Sequence, residues 1–472
     1  MTPGIRSSAS RRAPRPARRK SADCPRVRIV VLTYNAGAFI RPCLNAVLAT
    51  DYPDFEVTVV DNASSDGSVE DIGHEFPDIS LVQAGANLGF SRGNNLAMQG
   101  AGTPFVALLN PDTQVDVGWL RPLVQFLQDD PIAGGVGPKI LFSDDRVAVN
   151  LRSPTFIHSG DAGRSLGIRL YEANDDISEV IFNDGVYGVE VDQSGARFRW
   201  TNGMATVAIP VRKGRACMEM DVSAGDSHRD VPVSVAIGDR VLWNGFVNSG
   251  RTRLGIDVPD GAIHAFARPV IENAGIKPLV DGSMRDRGTF VTHGNVWHAW
   301  DGPAFNSTSE VFAVKGGAAL YRSAMLESLD FFDPGIFMYY EDTDLAWRAR
   351  RRGWRFFYQP ESVVRHAHAA LSGEWSPAFV RNVEFGKLRM LAKNAPWTWT
   401  CRHMGSAGIH GGHEFRHGIQ AGNSLALRRA RARASAIRAA FSALPDTVRL
   451  RRVERRLAPL DGRELQPFLE PA

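Results

Sequence analysis

Short apolar runs alternate with segments of helical periodicity over the first part of this chain. The runs RVRIVVLTYN (26–35), FEVTVVDNAS (55–64) and PFVALLNPDT (104–113) end in polar turn residues, and residues 38–49 have a helical period. Such runs are typical of strands buried on both faces, and their alternation with helices predicts βαβ units and a mainly parallel sheet. Ligands of such sheets bind beyond the carboxyl ends of the strands, where Asp61 and Asp112 are placed.

A second pattern begins near residue 162. Short alternating runs separated by Gly, Asp, Asn and Ser predict an all-β sandwich, and the α/β pattern resumes near residue 311. We therefore expect an α/β domain interrupted by an inserted β-sandwich domain, in which Trp200 and Trp243 are core residues. The predicted segments are a disordered basic tail (1–24), the first α/β part (25–161), the insertion (162–270), the second α/β part (271–398) and a basic helical C-terminal region (399–472).

Composition excludes several classes of protein. The four cysteines among 472 residues are widely spaced, which excludes a disulfide scaffold and a thiolate zinc site and fits a reducing compartment. No run approaches the ~20 apolar residues of a membrane span, and no apolar segment follows the basic N-terminus, so we expect a cytoplasmic protein.

Both ends of the chain are basic, whereas the remainder is net acidic. Residues 428–456 carry ten arginines against Asp446 and Glu454. This C-terminal segment could contact an anionic membrane surface, which would place the protein peripherally at the inner face of the cell membrane. Nucleic acid is not an expected partner, because no stacking aromatics are interleaved with the arginines.

Three polar segments near strand ends are candidates for ligand binding. Asp61 suits a hydrogen bond to a ribose or a base, or an Asx turn that caps the next helix. In NLGFSRGNN (87–95), Arg92 suits a diphosphate, but a polar turn explains the segment as well. In LLNPDT (108–113), Asp112 suits Mg²⁺ or Mn²⁺, with a Pro–Asp turn as the alternative.

Two later segments carry acids and histidines. YYEDTDLAWRARRRGW (339–354) places Glu341, Asp342 and Asp344 at an apparent helix start, where they either oppose the helix dipole or supply a general base. Clustered carboxylates repel, so the pKa of one of them is expected to rise. His366 and His368 share one face of a predicted strand, as metal ligands or as structural histidines.

Taken together and in this order, these motifs resemble the inverting family 2 glycosyltransferases of the GT-A fold, above all bacterial rhamnosyltransferase-like members. The resemblance covers roughly residues 26–142 and 270–397. It is carried by VVLTYNAGAFIRPCLNAVLATDYPDFEVTVVDNASSDGS, NLGFSRGNN, LLNPDT, GGAAL, MYYEDTDLAWRARRRGW and VVRHAHA. It implies a Rossmann-like nucleotide-sugar transferase domain whose first part (25–161) binds the donor and whose second part (271–398) holds the acceptor and the catalytic base.

The resemblance also implies a role for each motif. The nucleoside pocket would be lined by Thr33, Tyr34, Asn35 and Asp61. The donor diphosphate would lie near Arg92, Asn94 and Asn95. A divalent cation, Mn²⁺ or Mg²⁺, would be bound by Asp112 and by His366 or His368. The catalytic base would be Asp342, supported by Glu341 and Asp344. The metal motif, Asn-Pro-Asp, has one carboxylate where many relatives have two.

The implied activity is transfer of a sugar from a nucleotide-sugar donor to a hydroxyl of a cell-envelope glycan or a lipid-linked acceptor. The favoured donor is dTDP-L-rhamnose, and UDP-hexoses, UDP-galactofuranose and GDP-mannose stay open. A nucleotidyltransferase and a glycosidase are alternative enzymes. A catalytically inactive glycan-binding protein is the non-enzymatic alternative, in which the sandwich would bind glycan.

Overall fold

The computed structural model describes residues 24–157, 163–172, 180–192, 194, 196–225, 230–367, 375–420, 422–457 and 463–469. Residues 1–23 of the predicted basic tail, and His368, lie outside the described residues.

The first part of the chain alternates strands and helices, as its sequence predicts. Its elements are β1 (Val27–Thr33), α1 (Ile40–Leu48), β2 (Phe55–Asp61), α2 (Ile72–Glu75), β3 (Ile79–Gln83), α3 (Gly89–Met98), β4 (Phe105–Leu109), β5 (Thr113–Val115), α4 (Leu120–Asp129) and β6 (Ala133–Phe142).

A long run of strands follows and closes with one helix. These elements are β7 (Arg146–Arg152), β8 (Phe156–Ile157), β9 (Ser165–Leu166), β10 (Arg169–Tyr171), β11 (Ile181–Phe182), β12 (Val186–Val191), β13 (Arg197–Thr201), β14 (Met204–Pro210), β15 (Ala216–Ser223), β16 (Val231–Ile237), β17 (Arg240–Val247), β18 (Thr252–Val258) and α5 (Asp260–Phe266).

The last part of the chain begins with short strands and ends with helices. Its strands are β19 (Ile271–Asn273), β20 (Ile276–Pro278), β21 (Met284–Asp286), β22 (Thr289–Thr292), β23 (Asn295–His298), β24 (Ser309–Val311), β25 (Ala318–Arg322) and β26 (Arg355–His366). Its helices are α6 (Ser323–Ser328), α7 (Glu341–Arg350), α8 (Pro377–Asn394), α9 (Trp397–Gln420), α10 (Ser424–Ser442) and α11 (Leu444–Leu457), with 3-10 turns at Pro303–Phe305 and Arg463–Phe468.

One mixed sheet organises the α/β domain. Its strand order is β24-β26-β6-β25-β4-β1-β2-β3, with β19 on β6 and β5 on β26. The pairs β4-β1, β1-β2, β2-β3 and β6-β26 are parallel, whereas β25 runs antiparallel between β4 and β6. Helices α1 and α4 pack on one face, and α3, α6, α7 and α8 pack on the other. This arrangement is the α/β sheet that the sequence patterns predict, in the GT-A-like form that the family resemblance implies.

The inserted unit consists of two five-stranded antiparallel sheets that share one core. Their orders are β12-β13-β10-β15-β18 and β11-β14-β7-β16-β17. Trp200 is buried against Phe156 and Phe198, and Trp243 is half-buried beside the shared core.

The insertion begins earlier in the chain than the predicted residue 162. Strand β7 (Arg146–Arg152) pairs with β14 and β16 of the sandwich rather than with the α/β sheet. Its alternating sequence fits either sheet, so only the long-range pairing decides between them. The backbone amide of Phe142 donates to the carbonyl of Val270 (3.1 Å), so the two ends of the insertion lie side by side.

The C-terminal helices pack on the α/β domain. Helix α10 buries Ala430, Ala432 and Ala436 and contacts α8 and α9. No helix in the described part of the chain combines the length and hydrophobicity that a membrane-spanning segment requires.

Candidate functional site

Two loops meet at the carboxyl ends of β1 and β2. Thr33 pairs with Asp61 in the parallel register, so both side chains lie at the same edge of the sheet. Asp61 is buried and accepts a hydrogen bond from the backbone amide of Ser64 (2.9 Å). Asn35, with φ +48°, accepts from the amide of Ser65 (2.8 Å) through its Oδ1 atom. The first contact orders the loop after β2, and the second joins that loop to the one after β1.

The structure adds a polar residue at this edge that the sequence analysis did not single out. Asn62 donates from Nδ2 to the carbonyl of Gly89 (3.0 Å), so the β2 loop is joined to the start of α3. The signal in the sequence was a second polar residue directly after Asp61. Tyr34 is 45% exposed beside this loop, whereas the buried Thr33 hydroxyl has no hydrogen-bond partner among the described residues.

Helix α3 begins in a close backbone contact. Gly89 has φ +75°, and a Cβ atom there would lie 2.4 Å from the carbonyl oxygen of Phe337. Glycine is therefore required at this position, both for the left-handed conformation and for the space. The next amide, that of Phe90, donates to the same carbonyl (2.6 Å). The loop before α7 is thereby tied to the start of α3.

The three polar residues predicted near the diphosphate differ in exposure. Asn94 is buried and donates to the carbonyl of Phe90 (3.0 Å). Asn95 is buried and exchanges two hydrogen bonds with the backbone of Phe332 (2.9 and 3.2 Å). Arg92 is exposed. Asn94 thus stabilises α3 itself, Asn95 joins α3 to the loop between α6 and α7, and Arg92 is the one whose side chain is open to a ligand.

Asp112 and His366 come together at the carboxyl end of β4. His366 ends β26 beside β5, and its Nε2 atom lies 3.2 Å from Oδ1 of Asp112. The backbone of Asp112 also accepts from the amide of Ala367 (3.0 Å). Burial by itself lowers the pKa of His366, but the nearby carboxylates of Asp112 and Glu272 outweigh burial and raise the pKa above its usual value.

Three further charged residues extend this cluster, and the sequence analysis did not identify them. Glu272 is fully buried, and its Oε1 atom lies 3.6 Å from Nδ1 of His366. Lys315 forms an ion pair with Glu272 and lies 3.4 Å from Asp286. Lys315 directly precedes the GGAAL motif, and the two acids lie in the segment 270–288. They were missed because only folding brings that segment back to the site.

The donor set fits one divalent cation. A carboxylate oxygen and an imidazole nitrogen are ligands that Mn²⁺ accepts, and such ions commonly take their other ligands from water and substrate phosphates. Within the described ranges, no group of three His, Cys, Asp or Glu side chains forms a metal site. Asp112 and His366 would therefore hold the ion only together with a ligand such as a diphosphate.

Asp342 is held at the first turn of α7. Its Oδ2 atom accepts from the amide of Gly316 (3.1 Å), and its Oδ1 atom accepts from the amide of Thr343 (2.7 Å). Tyr339 and Tyr340 precede it with φ of +70° and +68°, conformations that cost energy in non-glycine residues. Burial raises the pKa of Asp342, although these two hydrogen bonds oppose the rise. A raised pKa brings a carboxylate closer to the range useful for a base.

The two acids next to Asp342 differ in their surroundings. Glu341 is buried, and its Oε2 atom has no hydrogen-bond partner among the described residues. Burial, together with the charge of Asp342, raises the pKa of Glu341 well above its usual value. Asp344 is completely buried and binds Arg348 (2.9 Å) and Lys393 (2.7 Å). Asp344 therefore joins α7 to α8.

The fold gathers these residues from distant parts of the chain. Asp112, His366, Glu272 and Lys315 form one continuous set of contacts, and the residue after Lys315 donates its amide to Asp342. The arrangement offers a half-buried carboxylate, that of Asp342, near a site suited to a cation and a diphosphate. Such a pair of features can deprotonate a hydroxyl and stabilise a leaving phosphate.

Two family models match the chain. Glycosyl transferase family 2 matches residues 28–174, and glycosyltransferase like family 2 matches residues 294–376. The two matched ranges contain Asp61, Asp112, Asp342 and His366.

Several known proteins are similar to this chain. The N-acetylglucosaminyl-diphospho-decaprenol L-rhamnosyltransferase of Mycobacterium tuberculosis is 32% identical over 145 residues, which cover 28% of this chain and 47% of that protein. The putative teichuronic acid biosynthesis glycosyltransferase TuaG of Bacillus subtilis is 25% identical over 142 residues, covering 29% of this chain and 54% of the relative. The chain thus spans about half the length of the curated relatives it matches.

A solved structure is also similar. The crystal structure of GalNAc-T7 with UDP, GalNAc and Mn²⁺ aligns with a TM-score of 0.44 and 11% sequence identity, over 91% of this chain and 58% of that one.

Proposed function

This chain belongs to the family 2 glycosyltransferases, and from that premise we propose that it transfers a sugar from a nucleotide-sugar donor to an acceptor hydroxyl with inversion at the anomeric carbon. The observation that carries the proposal is the position of Asp342. Its carboxylate is fixed by the amides of Gly316 and Thr343, beside a cluster suited to a diphosphate.

The reaction needs one in-line displacement. Asp342 takes the proton of the acceptor hydroxyl while that oxygen bonds to the anomeric carbon and the bond from this carbon to the donor diphosphate breaks. Glu341 lies beside the base, and Asp344 positions the helix that carries it. When bound, a divalent cation would neutralise charge on the leaving diphosphate, and Asp112 with His366 would hold it. Arg92 would contact the diphosphate.

The favoured donor is dTDP-L-rhamnose. It is supported by the similarity to a relative named as an L-rhamnosyltransferase, over 28% of this chain. The nucleoside would lie against Tyr34, Asn35, Thr33 and Asp61 at the β1–β2 edge. UDP-hexoses, UDP-galactofuranose and GDP-mannose are the competing donors.

The acceptor we propose is a cell-envelope glycan or a lipid-linked glycan. The relative's name includes a diphospho-decaprenol acceptor, which supports the lipid-linked form. An enzyme that uses such an acceptor works at a membrane surface. We therefore place the protein in the cytoplasm, peripherally at the inner face of the cell membrane.

The substitution Asp342→Asn tests the base. It should lower transfer by at least about 10²-fold, because general bases typically contribute that much or more. Donor binding should persist, and a thermal shift with UDP, dTDP, GDP or CDP, with and without Mn²⁺, measures it. Ligand at ~100 times its dissociation constant adds roughly 2.7 kcal/mol to the free energy of unfolding.

Asp78→Asn, at an exposed position, is the matched control and should leave transfer unchanged. Equal activity of Asp342→Asn and the unsubstituted protein would exclude Asp342 as the base. If no nucleotide changes the melting temperature, the inactive glycan-binding alternative becomes the better explanation.

A further inference from the structure

A cavity of about 400 Å³ lies between α8, α9 and α10. Its mouth carries two aromatic rings, those of Trp375 and Phe379, whose centroids are 5.9 Å apart at an interplanar angle of 49°. The Trp375 side chain is 44% exposed. Both apolar and polar side chains line the rest of the cavity, and the polar ones include Lys387, His410 and Glu384.

This cavity adjoins the catalytic loop. The ring of Phe379 lies 5.0 Å from that of Tyr339, three residues before Asp342. The neighbouring Tyr340 is half-buried. Burial raises the pKa of its hydroxyl, and the charges of Glu384 and Asp342, among others, raise it further. A ligand in the cavity would therefore lie near the loop that carries the proposed base.

The charges of the cavity are largely balanced. Glu384 forms an ion pair with Arg433, which also binds Glu414 (3.0 Å). Lys387 lies within electrostatic range of Asp281, whose backbone carbonyl lies 2.9 Å from Nε2 of His403. A cavity without a strong excess of either sign favours an uncharged ligand, because an ionic ligand would need an unpaired counter-charge. An exposed and a half-buried aromatic ring next to hydrogen-bonding groups suit a polyhydroxylated ring.

We propose that this cavity binds an uncharged pyranose unit of the acceptor glycan, next to the sugar that carries the reacting hydroxyl. The inference rests on the proposed transferase function and adds a second acceptor contact, formed by the C-terminal helices. Trp375 and Phe379 pack against the apolar face of the ring. Lys387 and His410 are placed to hydrogen-bond its hydroxyl groups.

The test uses saturation-transfer NMR to measure the binding of methyl N-acetyl-β-D-glucosaminide and of methyl β-D-glucopyranoside to the full chain. Trp375→Ala should weaken binding about three- to tenfold, from the loss of one aromatic contact. Trp375→Phe should restore most of it. Phe415→Ala removes an exposed aromatic from α9 outside the cavity and should leave binding unchanged. Saturating nucleotide should not displace the glycoside.

Four results would overturn the proposal. The first two are that neither glycoside binds, or that Trp375→Ala binds the glycoside as well as the unsubstituted protein does. The other two are that Phe415→Ala loses as much affinity as Trp375→Ala, or that nucleotide displaces the glycoside. The melting temperature of each variant, with and without nucleotide, is recorded in the same samples. A protein that responds to nucleotide but binds no glycoside contradicts this inference alone. A protein that responds to neither contradicts the proposed function as well.

Discussion

Glu341 is buried with one carboxylate oxygen that lacks a partner among the described residues, and it lies beside the proposed base. Burial and the charge of Asp342 raise the pKa of Glu341 in the folded chain. The folded state therefore holds a proton that the unfolded state releases above its own pKa. This acid stabilises the fold at low pH, and that contribution is lost as the pH rises towards the folded pKa.

We expect Glu341→Gln to become increasingly stable relative to the unsubstituted protein as the pH rises. The amide cannot ionise, so the difference in unfolding free energy should grow by up to about 1.4 kcal/mol per pH unit above the unfolded pKa. Urea midpoints of both proteins between pH 5 and 8 measure it. Glu70→Gln, at an exposed position, is the control. Parallel curves for Glu341→Gln would show that the group is ionised in the fold.

At the scale of elements, α8 supports the strained loop that precedes α7. A Cβ atom on Gly386 would lie 2.3 Å from the carbonyl oxygen of Tyr339. Tyr339 and Tyr340 are both left-handed, so the loop has little freedom to move away. The absence of a side chain at this one position therefore permits the backbone that presents Asp342.

Gly386→Ala should lower the unfolding free energy by about 1–3 kcal/mol, because the extra methyl group forces a backbone shift. It should also lower kcat while leaving nucleotide affinity unchanged, since Asp342 moves and the β1–β2 edge does not. Gly405→Ala in α9 is the control: no atom lies within 4 Å of its Cβ position. Alanine favours helices, so that variant should gain up to about 1 kcal/mol. Equal kcat in both variants would contradict the role of Gly386.

Local sequence patterns predicted the strands and helices that hold the site, but they did not predict all of the residues that form it. The strands that end at Thr33, Asp61 and Leu109 follow from continuous apolar runs, which are a short-range signal. Glu272 and Lys315 could not be found in the same way. They reach the site through the pairing of β19 with β6 and of β25 with β4, which joins residues more than a hundred positions apart.

The same reasoning explains the boundary of the insertion. Strand β7 has an alternating pattern that is compatible with either sheet, and only its pairing with β14 and β16 assigns it to the sandwich. The sequence patterns marked most of the site residues as candidates, and family resemblance assigned their roles. The structure supplies what resemblance lacks, which is the exposure of Arg92 against the burial of Asn94 and Asn95.

At the scale of the whole molecule, the basic C-terminal segment divides into two sets of arginines. One set forms hydrogen bonds within the chain. Arg429 donates to the carbonyl of Trp375 (2.7 Å), and Arg451 donates to the carbonyl of Ala392 (2.8 Å). The other set is exposed along one side of α10 and has no hydrogen bond or ion pair with the described part of the chain: Arg428, Arg431 and Arg438. Truncation of the segment would remove packing together with charge, so substitution of the exposed set is the cleaner test.

Replacing Arg428, Arg431 and Arg438 by glutamine should weaken adsorption to vesicles that contain one third phosphatidylglycerol. Each arginine near an anionic surface contributes about 1 kcal/mol, so the three together predict roughly a 10²-fold loss in partitioning. Co-sedimentation at low and at high salt measures this adsorption. High salt screens the charges, so it should also weaken the adsorption of the unsubstituted protein. Glutamine at three exposed arginines of the sandwich is the matched control: Arg152, Arg215 and Arg240. Equal loss of vesicle adsorption in the two triple variants would indicate a non-specific effect of net charge. Equal adsorption of the two variants and the unsubstituted protein would exclude α10 as the membrane-facing side.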